Sequence, residues 1–358
     1  MSRSRLRLLL MSTPVGPLGS GLGGGVELRL LNLSQELRRR GHGVTVVAPA
    51  GSVLADVPVV GIPGQPQPTA HTRDRSDPMV LPPNSVLGNM WDYGRQHQGQ
   101  FDLIVNFAYD WLPFYLTSFF KTPVAHFVTM GSLSDALDDA VQQVADRFPG
   151  RLGASTRAQV ETFGCGDAFT LLSSAINLDR YQFCPTPGEA LAWSGRISPE
   201  KGLEDALAAA EIAQVPLKIL GKLEDEAYWQ HLCQRFPQAE ASYLGFLSTH
   251  DLQTVLGQCR ALVMTHRWVE AFGNVAIEAL ACRVPVITYD RGGPAEIVQP
   301  GSTGWLVPPD DVAALAAAIQ RIDDLDRSAC RRQAEAEYSL PALGDRFEAW
   351  FNRILHRS

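Results

Sequence analysis

Apolar runs and amphipathic stretches alternate along this chain with a regular spacing. Leu6–Met11 predicts a strand, Glu27–Arg40 an amphipathic helix stopped by Gly41, and Val44–Val47 a second strand, which together make a βαβ opening. Phe101–Phe107, Val124–Val128 and Phe169–Ser173 are near-continuous apolar runs, as expected of parallel strands covered on both faces. The stretch Cys184–Gly188, CPTPG, reads as a linker, and the alternation then restarts. Leu191–Ser194, Leu217–Leu220, Ala261–Thr265 and Val284–Thr288 predict strands, with helical patterns such as Leu203–Ala213 between them. Leu343–Leu355, beyond Pro341, is an amphipathic helix that either closes the second half or crosses back onto the first. The expected architecture is α/β, with two Rossmann-like, doubly wound domains over 1–183 and 184–341. The segment 342–358 is a candidate to return to the first domain. In such a pair the carboxyl ends of both sheets are expected to face an interdomain cleft, where open α/β sheets bind ligands.

Composition narrows the picture. A chain of 358 residues, 45% hydrophobic and 19% charged, can bury a large core, and its length suits two domains. The net charge of −7 offers no broad basic field for nucleic acid, so an anionic ligand must be met locally. The start, MSRSRLRLLLMSTPVGP, carries too short an apolar run for a signal peptide, and no stretch approaches the ~18 apolar residues of a membrane helix. Six cysteines without a C-x-x-C pair suggest a reducing cytoplasm and no structural metal. Residues 60–100, rich in Pro, Gly, Gln and Asn, predict either a functional excursion or a plain surface one.

Gly19-Ser20-Gly21-Leu22-Gly23-Gly24 matches the dinucleotide fingerprint between a strand and a helix. The second strand, however, ends in Ala48-Pro49-Ala50, with no acidic residue for a ribose hydroxyl, so a nicotinamide-dependent oxidoreductase is the lesser alternative. Three consecutive glycines ahead of Glu27 suit either a flexible turn or close approach of backbone N–H groups to a phosphate, which makes Gly24 and Gly25 candidates.

The second half holds a denser constellation. Trp193–Gly202 puts Arg196 and Lys201 in a loop just after a strand, as a solvated pair or as a fork and a point charge for a diphosphate. Glu270–Leu280 follows the strand Ala261–Thr265, and Gly273 and Asn274 suit the start of a helix whose N–H groups form an anion site. Glu270 and Glu278 stand before and within that helix. They suit separate tasks on hydroxyl-rich groups, although Glu278 also reads as an acid placed near a positive dipole end. Phe246, within Leu244–Ser248, is a candidate nucleobase neighbour. Asp323-Asp324-Leu325-Asp326 looks like a D-x-D element, but its late helical position favours a solvated face.

Taken together, several motifs resemble retaining glycosyltransferase family 4, of GT-B fold. They are Gly23–Glu27, Pro123–His126, Ala175–Asp179, Gly195-Arg196 through Lys201-Gly202, and the glutamates Glu270 and Glu278. The resemblance implies that Arg196 and Lys201 hold a diphosphate. It assigns the donor sugar and phosphate to Glu270 and the backbone of Phe272, Gly273, Asn274 and Val275, and the ribose to Glu278. It implies a donor-sugar contact for His126, which also reads as a satisfied core histidine. Neither metal nor other cofactor is implied. Ser12–Gly21, with the rest of the first domain, is similar to cyanobacterial UDP-glucose:tetrahydrobiopterin glucosyltransferases. That implies UDP-glucose as donor and a reduced pterin as a small-molecule acceptor. Trp91, Tyr109, Trp111 and Phe127 are then stacking candidates and Asp110 a polar one, each of which reads equally well as core. A lipid or polysaccharide acceptor is the alternative.

Overall fold

Apolar runs buried on both faces set the architecture of this protein, for which a computed structural model describes residues 5–20, 25–68, 74–182, 187–237, 239 and 241–357. Contacts divide the chain into two units, Met1–Ser174 with Leu340–Ser358, and Ala175–Ser339.

Unit 1 contains β1 (Arg7–Met11), α1 (Gly25–Arg39), β2 (Gly43–Pro49), β3 (Val59–Ile62), α2 (Val86–His97) and β4 (Leu103–Asn106). It continues with α3 (Trp111–Leu116), β5 (Val124–Phe127), α4 (Asp135–Arg147), β6 (Leu152–Ala154), α5 (Arg157–Val160) and β7 (Phe169–Leu171). The seven strands form a parallel sheet in the order β3-β2-β1-β4-β5-β6-β7, with Leu8 of β1 in register with Val44 and Leu103. Parallel pairing needs crossovers, and the helices that supply them bury the sheet on both faces.

Unit 2 repeats the plan. Its elements are β8 (Leu191–Ser194), α6 (Leu203–Ala213), β9 (Leu217–Leu220), α7 (Glu226–Arg235), β10 (Ala241–Tyr243), α8 (Thr249–Gly257) and β11 (Leu262–Met264). They continue as α9 (Asn274–Ala281), β12 (Val286–Tyr289), α10 (Gly292–Ile297), β13 (Gly304–Val307), α11 (Val312–Gln320) and α12 (Arg327–Glu337). Its parallel sheet runs β10-β9-β8-β11-β12-β13. The order reverses at β8, where the chain turns from one side of the sheet to the other, and ligands of open α/β sheets bind at such switch points.

Three features depart from the sequence reading. The 60–100 stretch is not a structureless excursion. Ser85 caps α2 by accepting from the Gly88 N–H, and Val86, Leu87, Met90 and Trp91 form one buried helix face. The strands β3, β6, β10 and β13 were not legible, because each short run holds a glycine or a serine and shows no unbroken apolar stretch. The chain also passes into unit 2 at Ala175, ahead of CPTPG, since Ile176 and Tyr181 already lie in a unit 2 core cluster.

The last helix, α13 (Leu340–Arg357), belongs to unit 1, where it packs on α1. Phe347, Trp350 and Phe351 are fully buried, and the Trp350 indole donates to the Gly150 carbonyl at 2.8 Å. An ionic knot fixes its first turns. The Arg40 guanidinium, 4% exposed, donates to Glu36 at 2.6 Å, Asp345 at 2.7 Å and Glu348 at 2.8 Å. Glu348 also accepts from His42 Nε2 at 2.9 Å, and His42 Nδ1 accepts from the Leu6 N–H. Removing one member of a buried ionic group strands the others. Arg40→Ala is therefore expected to lower unfolding stability by about 3–5 kcal/mol, measured by urea denaturation, whereas the exposed Arg95→Ala changes it by under about 1 kcal/mol.

Candidate functional site

The loops at the carboxyl ends of β8 and β11, with the start of α10, lock together in unit 2. After β8, Pro199–Lys201 forms a single 3-10 turn that ends at Gly202 in a left-handed conformation, φ +63°. A Cβ at Gly202 would lie 2.1 Å from the Thr265 carbonyl oxygen, so only glycine lets the two loops touch. The contact is reinforced by the Arg267 N–H, which donates to the Glu200 carbonyl at 2.8 Å, and by the Trp193 indole, which donates to Thr265 Oγ1 at 3.1 Å. On the other side the Gly293 N–H donates to the Glu270 carbonyl at 2.7 Å, and a Cβ there would meet the Phe272 backbone at 2.6 Å.

These contacts bring Lys201 and Glu270 together. The Lys201 ammonium donates to Glu270 Oε2, and both side chains are less than one-fifth exposed. The Trp268 indole N–H donates to the same oxygen at 3.2 Å, and its ring lies 4.8 Å beneath the ammonium. Burial would lift the Glu270 carboxyl, but Lys201, with His266 and the indole N–H, overrides it and holds the group below the usual carboxylate range. Arg196 is also occupied, donating to Glu200 at 3.0 Å and to Glu224. Each predicted phosphate cation thus rests on carboxylates.

Glu270 leads directly into α9, whose N-cap is Gly273 at φ +90° and whose first residues are Asn274 and Val275. First-turn N–H groups and the positive end of the helix dipole favour an anion at such a place. Glu278, further along α9, is 9% exposed and accepts from the Tyr181 hydroxyl at 3.0 Å. Burial pushes its carboxyl up to about 7, with the Tyr181 bond opposing the shift. Phe246 is 78% exposed in the loop after β10.

Sequence reasoning missed His266. It sits one residue beyond Thr265, at the carboxyl end of a predicted strand and four residues before Glu270, and that position was the available signal. The ring is 3% exposed; Nε2 donates to the Arg291 carbonyl at 2.7 Å, and buried Nδ1 has no hydrogen-bond partner. Burial, with Lys201 and Arg291, keeps the ring neutral against the pull of Glu270 and the Arg291 carbonyl. A buried acceptor left unmade costs about 1–3 kcal/mol.

Unit 1 separates its candidates. His126, on β5, is fully buried and stacked on Phe114 at 4.3 Å. Its Nδ1 accepts from Asn106 at 3.2 Å and its Nε2 bonds Thr117 Oγ1 at 2.7 Å, while burial holds it neutral with a pKa of about 3. With both nitrogens taken inside the core, it has the partners of a structural histidine rather than those of a sugar contact. Trp91, 1% exposed, meets Phe120 edge-on in the α2 core, and Phe127, 1% exposed, packs on Phe107 and Phe347, so neither ring offers a face to a ligand. Tyr109 and Asp110 line a small cleft with Asp74, Asp77, Met79 and Ser134. Asp110 also caps α3 at the Leu112 N–H, and Trp111 next to it stacks on Tyr115 at 4.5 Å. Gly25 opens α1, where Glu27 accepts from the Gly19 N–H at 2.9 Å; Gly24 lies outside the described residues.

Residues 184–339 match the family model of glycosyl transferases group 1, and residues 23–158 match that of Glycosyltransferase Family 4. The two matched segments fall in the two Rossmann-like units, and the chain has the GT-B fold. Its fold is similar to that of Anabaena Alr3699/HepE in complex with UDP and glucose, with a TM-score of 0.76 and 18% identity over 98% of this chain and all of that one. Sucrose-phosphate synthase from Thermosynechococcus elongatus gives 0.75 and 19% over 99% and 100%. Among curated relatives, a glycogen synthase of Mycobacterium tuberculosis is 34% identical over 49% of this chain and 45% of its own length, so the chain spans under half of that relative. A phosphatidyl-myo-inositol mannosyltransferase of Mycolicibacterium smegmatis is 26% identical over 85% of this chain and 82% of that protein. Among the described residues, no helix is long and apolar enough to cross a membrane, and no three His, Cys, Asp or Glu side chains gather as metal ligands. In the D-x-D stretch, Asp323 pairs with Arg260 and Asp326 caps α12, roles of a solvated face.

The raised Glu278 carboxyl has a consequence for stability. Folded Glu278 keeps its proton up to about pH 7, while the unfolded group releases it near 4.5. Folding therefore binds a proton between those values, and stability from this group falls as pH rises through that window. Glu278→Gln is expected to be more stable than the parent at pH 8, with the gap closing by pH 4.5. Thermal unfolding across that range checks the sign.

Proposed function

We propose that this GT-B protein transfers a hexosyl group, glucose, from UDP-glucose to a hydroxyl of a small acceptor, with retention of configuration and without a metal. The observation that carries this reading is the pairing of Lys201 with Glu270 at the start of α9, with Arg196 from the same loop as Lys201. An incoming diphosphate exchanges for the carboxylates on both cations. Lys201 and Arg196 then neutralise the phosphates, and the Glu270 carboxylate is released to accept hydroxyls of the sugar. The backbone of Phe272, Gly273, Asn274 and Val275 supports the phosphate, Glu278 the ribose and Phe246 the base.

In the reaction, the bond from the anomeric carbon to the β-phosphate oxygen breaks and its electron pair leaves with UDP. The acceptor oxygen bonds to the same carbon, and its proton passes to the departing phosphate. Attack on the face the phosphate leaves retains configuration and needs no protein nucleophile. The catalytic lever is charge stabilisation on the leaving group, which Arg196 and Lys201 supply.

For the acceptor, Tyr109 and Asp110 beside the unit 1 cleft support a small polar molecule carrying a flat ring, such as tetrahydrobiopterin; Trp91 and Phe127 drop out of that set as core. The mannosyltransferase likeness across most of the chain favours a second reading, a phosphoinositide-type lipid acceptor with another sugar nucleotide. Release of UDP from UDP-glucose is the measurement, with tetrahydrobiopterin, phosphatidylinositol vesicles and glycogen as acceptors. The first reading expects release coupled to the pterin, and release driven only by another acceptor replaces it. Arg196→Ala and Lys201→Ala are each expected to lower turnover roughly 100- to 1,000-fold. Near-normal rates in both would remove the mechanism.

A further inference from the structure

His266, in the loop that joins β11 to Glu270, holds a buried side-chain nitrogen, Nδ1, with no hydrogen-bond partner among the described residues. Its backbone and ring are fixed twice by Arg291, whose carbonyl accepts from Nε2 at 2.7 Å and whose guanidinium donates to the His266 carbonyl at 3.2 Å. Arg291 is itself held by Asp310 at 2.6 Å, so the imidazole cannot turn without breaking this chain of bonds. The Nε2–H bond decides the tautomer: a neutral ring that donates from Nε2 presents a bare lone pair at Nδ1. That lone pair is buried and meets no donor among the described residues. Arg291, which holds the ring, leads into Gly292 and Gly293, and these close on the Glu270 backbone: the Gly293 N–H donates to the Glu270 carbonyl at 2.7 Å, and a Cβ at Gly292 would lie 2.8 Å from the Glu270 nitrogen, so the ring sits beside the Glu270 loop.

Ordinary core histidines are satisfied at both nitrogens, as His126 is in unit 1. A rigid acceptor without a partner, alongside a carboxylate assigned to sugar hydroxyls, is what a hydroxyl-bearing ligand completes. We infer that His266 Nδ1 accepts a hydrogen bond from a hydroxyl of the donor hexose, and so acts with Glu270 in selecting the sugar; this rests on the nucleotide-sugar reading above. Glu270 accepts at two oxygens and Lys201 donates, whereas Nδ1 accepts along one fixed direction. The imidazole therefore reads the position of a single hydroxyl rather than the number of them.

The test compares UDP with UDP-glucose on the full chain by titration calorimetry. His266→Leu removes the acceptor at similar volume, and His266→Asn keeps a polar atom near the Nδ1 position. The Kd ratio of UDP-glucose to UDP is expected to rise about tenfold in His266→Leu, with UDP itself unchanged within about twofold, and to recover at least partly in His266→Asn. Equal weakening of both ligands, no change in the ratio, or the same loss in both variants would overturn the inference. Thermal unfolding of the variants identifies a folding defect, against which the Asn variant stands as the second measurement. A parent protein that binds neither UDP nor UDP-glucose overturns the donor reading as well. Normal parent binding with an unmoved ratio overturns the role of His266 alone.

Discussion

Unit 2 of this protein depends on one partly buried ion pair, Lys201 with Glu270. It joins the loop that follows β8, where Lys201 ends a single 3-10 turn, to the loop that follows β11. A pair so far out of water is favourable only when its geometry is well held and its remaining valences are met. Here the Trp268 indole donates to the carboxylate and lies under the ammonium, Gly202 closes on Thr265, and Arg267 is anchored on Glu204 and Asp205. The helix start at Gly273, the His266 ring and the Arg291 bonds all hang from the same loop.

That arrangement explains why the site can be built before a ligand arrives. Lys201 and Arg196, in the one loop after β8, already carry carboxylates, so the cations are neither left unpaired nor allowed to repel one another. Under the function proposed above, a diphosphate supplies the same charge in the same region, and its binding is an exchange of anions rather than the assembly of a site. Glu278 shows the complementary cost. Its carboxyl is buried with a single hydroxyl partner and is destabilising when ionised.

Unit 1 uses its charges differently. The Arg40, Glu36, Asp345, Glu348 and His42 group ties α13 to α1 and lets the aromatic residues of that helix complete the core beneath the sheet. Its buried aromatic residues are mostly structural. Tyr109 and Asp110, which line the small cleft, lie where β4 gives way to α3, at the carboxyl end of a central strand.

The sequence by itself determined the repeated strand–helix alternation, the two-unit plan and the positions of Arg196, Lys201, Glu270 and Glu278. Each of these rests on a local signal: long apolar runs, a loop cation following a strand, a glycine at a helix start. What it left open was which side chains face inward. His126, Trp91 and Phe127 share their residue types and strand-end or helix positions with ligand contacts, and only packing by Phe114, Thr117, Phe120 and Phe347 made them core. Helix α2 stayed hidden because Pro, Gly and Asn around it masked a short buried face. The return of α13 to unit 1 depended on ion pairs between residues some three hundred positions apart. His266 needed the tertiary structure most, since a histidine next to a strand says nothing of its tautomer; that was decided by the Arg291 carbonyl from a different loop.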